Sequence, residues 1–206
     1  MRSYLPFVLL ILILASCKNE ADSVAPQITL IGGSQIDVPL NEPFQDPGVN
    51  VIDNEDGNIT SSVNTIGTVD VDLAGVYELT YRVSDNAGNS SSSTRNVHVR
   101  NQGDVLTGSF YAEPSCSGTF TSSNYTTNVS ASTTINNEIY FSQCSMITNG
   151  GILRATVDGD HIDVPLQTHG QYDFVGAGEI IGNNFNLGLE RQNTGQSCII
   201  AHTLQE

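Results

Sequence analysis

The sequence predicts an all-β protein: a β-sandwich over residues 26–100, then a small up-and-down antiparallel β-barrel over residues 104–206. Three observations carry this. Beyond the N-terminal apolar run, no stretch shows a helical period; short alternating runs of Val, Ile, Thr, Tyr and Phe recur between clusters of Gly, Asn, Asp and Ser. The polar break Asn101-Gln102-Gly103-Asp104 separates two strand-rich halves of different texture, which marks a domain boundary. In the second half, Asp158-Gly159 and Gly182-Asn183 sit between alternating runs, the pairing that signals tight hairpins.

In the first half, "GVYELTYRVSDNAGN" is the clearest element. Tyr77, Leu79, Tyr81 and Val83 share one strand face, and Glu78, Thr80 and Arg82 the other. Asp85 to Asn89 then turns the chain, and Thr94–Arg100 returns with Val97 and Val99 inward and Arg95 without a partner in that pattern. "DLAGVYEL" resembles the corner of immunoglobulin-type sandwiches, with Tyr77 in the tyrosine place. Leu79 stands where an antibody domain has cysteine, so no core disulfide is expected there. Several segments occur in order: Pro26–Leu30, Asp46-Pro47-Gly48-Val49, Asp53–Thr60, Gly75-Val76-Tyr77, Ser84–Asn89 and Thr94–Val99. Together they resemble the bacterial Ig-like domain related to hyalin repeats and found in pesticidal crystal proteins. The resemblance implies a sandwich of about seven strands acting as a spacer or adhesive module, not a catalyst.

In the second half, strands are expected at Leu106–Glu113, Tyr125–Thr134, Glu138–Cys144, Ile152–Asp158, His161–Gln167, Tyr172–Ile181, Asn184–Glu190 and Ser197–Leu204. Eight strands in successive hairpins favour a closing meander. "GSFYAEPSC", "HIDVPLQ", "GAGEIIGNNFNLGLE" and "SCIIAH" resemble the compact lipocalin-like domains at the C-terminus of Bacteroidetes lipoproteins. A classical lipocalin has tryptophan after the glycine of its first strand. Gly108-Ser109-Phe110 carries phenylalanine instead, and the chain has no Trp. An eight-stranded barrel of this length is filled by its own side chains, so binding is expected through loops or the outer face. The alternative is a lipocalin-like carrier of a small apolar ligand; an accessory to a hydrolase is a third reading.

The N-terminus carries an address. Arg2 precedes the apolar run Leu5–Leu14, about half of what a helix needs to cross a bilayer core of roughly 30 Å. A basic start, a short apolar core and small residues describe a secretory signal over residues 1–16. Leu14-Ala15-Ser16-Cys17 resembles the bacterial lipobox in all four positions. That resemblance implies cleavage after Ser16, diacylglycerol on the Cys17 sulfur and acylation of the new amino terminus. Stable anchoring takes more than one acyl chain, so the membrane is an expected partner through Cys17. Residues 17–25 read as a lipidated tether. Lys18, Glu20 and Asp22 resemble signals that send Bacteroidetes lipoproteins to the outer face of the outer membrane, and Asp22-Ser23-Val24 resembles the O-glycosylation motif of that phylum.

Charge excludes one class of partner. Twenty-two acidic residues face seven basic ones, net -15, and such a chain repels phosphate backbones, so no nucleic-acid partner is expected. A glycan or protein ligand remains, with Tyr125, Tyr140 and Tyr172 as candidate platform aromatics. No glycine-flanked nucleophilic serine, phosphate-cradling glycine loop or recognisable carboxylate pair occurs, so the chain reads as a non-enzyme without cofactor.

No metal is assigned. In the acidic loop Asp53–Asn58, glycine falls at the fifth place, Gly57, not at the sixth where an EF-hand needs it. Turn-forming Asp and Asn account for these residues; a sandwich-end site would share Asp53, Asp56 and Asp85. His98, His161, His169 and His202 lack ligand spacing and read as surface strand residues.

Three cysteines follow Cys17: Cys116, Cys144 and Cys198. An odd number leaves one unpaired. A closed meander sets its first and last strands side by side, which pairs Cys116 with Cys198 and leaves Cys144 a buried thiol. The lipocalin-like resemblance points the same way. Pairing of Cys144 with either partner would argue for a sandwich instead.

Overall fold

The computed structural model describes residues 21–118, 122–147 and 151–205. The expected signal peptide and Cys17 lie outside the described residues.

The first half is a sandwich of seven strands: β1 (Gln27–Leu30), β2 (Gln35–Pro39), β3 (Val49–Asp53), β4 (Gly57–Asn58), β5 (Asn64–Ile66), β6 (Gly75–Ser84) and β7 (Ser90–Arg100). One sheet has the order β1-β3-β4, the other β2-β7-β6-β5. β2 and β7 run parallel; the other described pairs are antiparallel. Val38, Val49, Val51, Leu79, Tyr81, Val83 and Val97 form the core between the sheets, the alternation read from "GVYELTYRV". The hydroxyl of Tyr77 donates to the Leu73 carbonyl at 2.7 Å, which closes the strand corner as in immunoglobulin-type domains.

Arg95 has inward parity and takes it. Its side chain is fully buried, and it has partners on every side. It donates to the Asp46 carboxylate and to the carbonyls of Gly33, Ile31 and Gly48, and it lies over the Tyr81 ring at 5.4 Å. Tyr81 completes the set by donating to Asp46 at 2.8 Å. Burial, and then the bond to Asp46, push the Tyr81 hydroxyl up to about 12. The loops bearing Ile31, Gly33, Asp46 and Gly48 are therefore gathered on one guanidinium.

The polar break is an ordered joint. A 3-10 helix spans Gln102–Leu106. Leu106, expected to open the first barrel strand, instead ends this turn with its side chain in the barrel core. Asn101 is buried. Its amide nitrogen donates to the carbonyls of Ser132, Ile135 and Glu138, and its oxygen accepts from Gly103 and Asn137. Asn41 reaches across from the sandwich, donating to the Thr134 carbonyl and accepting from Asn136.

The second half is a closed barrel: β8 (Gly108–Cys116), β9 (Tyr125–Ala131), β10 (Glu138–Phe141), β11 (Leu153–Asp158), β12 (His161–His169), β13 (Tyr172–Ile181), β14 (Asn184–Arg191) and β15 (Gln196–Leu204). Each strand pairs with its sequence neighbours, and β15 closes on β8. The predicted Gly182-Asn183 hairpin is the two-residue loop between the paired Ile181 and Asn184. At the other signal, Asp158 pairs with His161, so the loop is Gly159-Asp160, one residue later than the Asp-Gly signal suggests. Gly159 takes φ +58 and Gly182 φ +63, the left-handed backbone such loops require.

Candidate functional site

The barrel interior is where a carrier would hold its ligand, and it is packed. Phe110 and Phe141 meet Phe185 edge-on, at ring distances of 4.9 and 5.7 Å, while His202 stacks on Phe185 at 4.2 Å. Inward Leu187 and Leu189 use the room left by Gly178 and Gly176: a Cβ on Gly176 would stand 2.7 Å from Leu189, and one on Gly178 3.2 Å from Leu187. One end is closed by Arg191, which lies 3.9 Å over the Tyr172 ring and donates to the Met146 carbonyl and the Gln196 side chain.

His202 corrects the surface expectation for the histidines. It alternates in step with Cys198 and Ile200 on the inner face of β15 and is 2% exposed. Burial lowers its pKa to about 4, against a smaller opposing pull from the Ile200 carbonyl, so the ring is neutral at pH 7. His161 is exposed, whereas His98 and His169 are half-buried.

Cys116 and Cys198 are directly paired across β8 and β15 and form a disulfide, their Cα atoms 4.0 Å apart. Cys144 is a buried free thiol. β10 ends at Phe141, so Cys144 lies in the following turn and not on the strand, its carbonyl accepting from Ile147. Burial pushes its thiol pKa up, which makes it a poor nucleophile.

The three tyrosines do not assemble into a platform. Tyr125 packs against the barrel core beside Cys144, and burial raises its hydroxyl pKa. Tyr140 donates to Glu138, and Tyr172 lies beneath Arg191. The barrel's outer wall carries an open depression of about 490 Å³, formed where Gly188 sits between Ala177 and Ile199 in the strand register. Val175, Glu190 and Ser197 also border it, and Ile199 is 67% exposed.

A second site lies at one end of the sandwich. β3 ends at Asp53, whose Oδ1 accepts from the amides of Glu55 and Asp56 at 3.0 and 2.9 Å, which turns the chain. Asp85 follows β6 and accepts from the Asn89 amide at 2.7 Å and its side-chain nitrogen at 2.8 Å. Burial alone would raise the Asp85 pKa, but hydrogen bonds from Asn89, Gly88 and Ala87 outweigh it and hold the carboxyl below its usual range. The third member is Asp22, inside the segment 17–25 expected to be a tether. Asp22 and Pro26 are held against the sandwich: Asn89 donates to the Asp22 carbonyl, Asn54 to its carboxylate, and Ser91 to the Pro26 carbonyl.

Oxygens of Asp22, Asp53 and Asp85 lie within 4.8 Å of one another. Asp56, the expected third acid, is not among them: its two carboxylate oxygens accept from the backbone and side-chain nitrogens of Asn86, each at 2.7 Å. Asp22 escaped the sequence reading because nothing near it in the chain ties it to Asp53 and Asp85.

Residues 28–99 match the family model described as "Bacterial surface protein, Ig-like domain". No curated protein matches the chain. Among solved structures, the lipoprotein BT2262 from Bacteroides thetaiotaomicron is 20% identical, with 86% of this chain and 100% of that one covered at a TM-score of 0.38. The CBM51-2 and INT domains of Clostridium perfringens ZmpB, in complex with GlcNAc, are 13% identical, with 88% of this chain and 44% of that one covered at a TM-score of 0.32. The M60 catalytic domain of ZmpB with its CBM51-1 and CBM51-2 domains is 14% identical, with 87% and 21% covered at a TM-score of 0.32. The chain thus spans less than half of either ZmpB structure.

Proposed function

We propose that this chain is a lipid-anchored bacterial envelope protein, held by acyl chains on Cys17 and exposed at the outer-membrane surface. Its Ig-like sandwich serves as a spacer, and its barrel is the head that binds a glycan or protein partner. It is not an enzyme and uses no cofactor. The family match over residues 28–99 supports a surface role for the sandwich. The observation that carries the mode of binding is the filled interior: Phe110, Phe141, Phe185 and His202 occupy the space a carried ligand would need. Binding then falls to the outer wall, where Gly188 leaves the depression beside Ile199.

The test uses the full chain in detergent micelles, applied to a glycan array and to immobilised envelope proteins, beside Gly188→Arg and Ile199→Asp. Loss of binding in both variants, with the circular dichroism spectrum intact, is the expected outcome. Stoichiometric uptake of a fluorescent fatty acid by the wild-type chain would overturn the reading in favour of a carrier. For the anchor, Cys17→Ala should move the protein from the detergent phase to the aqueous phase of a Triton X-114 partition.

A further inference from the structure

The sandwich end holds three carboxylates and no cationic side chain among the partners described for them. Asp53 is 4% exposed, and its Oδ1 is satisfied by its own turn, but its Oδ2 is buried with no hydrogen-bond partner. A buried carboxylate oxygen without a donor is costly, and two further carboxylates within 4.8 Å add repulsion. Turn formation explains Oδ1; it does not explain Oδ2.

We propose that Asp22, Asp53 and Asp85 bind one Ca2+ ion, which fastens the entering chain to the loops after β3 and β6. The donors are all oxygens, with no His or Cys, which selects a hard cation. Their separation of up to 4.8 Å fits oxygens on one Ca2+ sphere, each about 2.3–2.6 Å from the ion. Mg2+ demands shorter bonds in a stricter octahedron. Asn54 and Asn89 already touch Asp22 and Asp85 through their side-chain amides; turning either amide over presents its oxygen, and water completes the shell. The spacing is not that of an EF-hand, because the ligands come from three segments that only the folded sandwich brings together. An extracellular module of this kind binds in the range of about 10⁻⁴–10⁻³ M.

The experiment strips the full chain with EGTA and follows thermal unfolding and calorimetric titration with CaCl2 and, separately, MgCl2. With 10 mM Ca2+ the sandwich transition should rise by about 6 °C or more, with one ion bound per chain and a weaker response to Mg2+. Asp53→Asn keeps an oxygen for the Glu55 and Asp56 amides and should bind Ca2+ at least tenfold more weakly. Asp22→Asn lies outside the strands and should show the same loss, so it carries the test if the first variant fails to fold. Asp37→Asn, an exposed acid paired with Arg100, should respond like wild type. No Ca2+ response in the wild-type chain, an equal response to Mg2+, or an undiminished Ca2+ response in Asp22→Asn would each overturn the assignment.

Discussion

The sandwich and the barrel solve one problem in opposite ways. The barrel joins β15 to β8, so its ladder has no edge, and among the described residues twenty buried apolar side chains make its core. The sandwich is open, and the corresponding cluster has seven. It compensates with polar devices: Arg95 gathers Asp46 and three carbonyls, Tyr77 pins its corner, and aspartates shape its end loops. One half is held by closure and apolar volume. The other is held by a few hydrogen bonds of high individual consequence, because a small open sandwich encloses too little apolar surface to rely on it alone. Damage to the sandwich should therefore be concentrated in single residues, and damage to the barrel spread over many.

The largest expected effect is that of Arg95→Ala. It takes the shared donor from Asp46 and the Ile31, Gly33 and Gly48 carbonyls and empties the space of a fully buried side chain. Asp46 is half-buried and keeps Tyr81, so the loss, about 3–5 kcal/mol, comes from the cavity and the stranded carbonyls. Urea unfolding should show an early sandwich transition with the barrel transition unmoved. A single joint transition would break the comparison; two separate ones agree with pieces 24–100 and 104–206 each having enough strands to fold alone.

Next comes the disulfide. Cys116 and Cys198 are 82 positions apart, and the chain-entropy model assigns such a loop roughly 4 kcal/mol, an upper figure. Cys116→Ser should lower only the barrel transition. Because the seam also has a full backbone ladder, the variant should remain folded at 25 °C, as read by amide dispersion.

The third effect is pH-dependent and sharpens the contrast from the barrel side. His202 is neutral in the fold, with its pKa depressed from 6.5 to about 4. Its contribution is present in full above pH 6.5 and is lost as the pH falls through 4. A shift of that size is linked to at most about 3 kcal/mol. His202→Leu should flatten this acid limb of the barrel's stability between pH 6.5 and 4; an unchanged limb would assign the acid sensitivity to other groups.

The barrel was readable because its physics is local. Strict alternation and the glycine-bearing turns at 159 and 182 define hairpins, and hairpins in series leave closure as the simplest way to remove two edges. The Cys116–Cys198 pairing follows from that closure. What escaped the sequence depends on contacts remote along the chain. Arg95 showed inward parity, but its partners lie 47 to 64 positions away. His202 carried the same parity signal, in step with Cys198 and Ile200, yet a titratable residue on a strand reads as exposed by default. Cys144 extended an apparent strand that in fact stops at Phe141. Asp22 belonged to a segment whose composition says tether, and only the fold sets it against Asp53 and Asp85.

The parallel pairing of β2 with β7 has a mechanical consequence. The chain enters beside Asn89 and Ser91, at the start of β7, and leaves past Arg100 at its far end. A pull between residue 22 and residue 100 therefore acts along β7. Between β2 and β7, five registered residue pairs from Gln35–Asn96 to Pro39–Arg100 would slide past one another together rather than open in turn. Load shared in this way resists sudden tension far better than a ladder peeled from one end. Stretching the chain between residues 22 and 100 in an optical trap should meet one abrupt rupture, whereas stretching across the β6–β7 hairpin, from its two ends, should yield gradually at lower force.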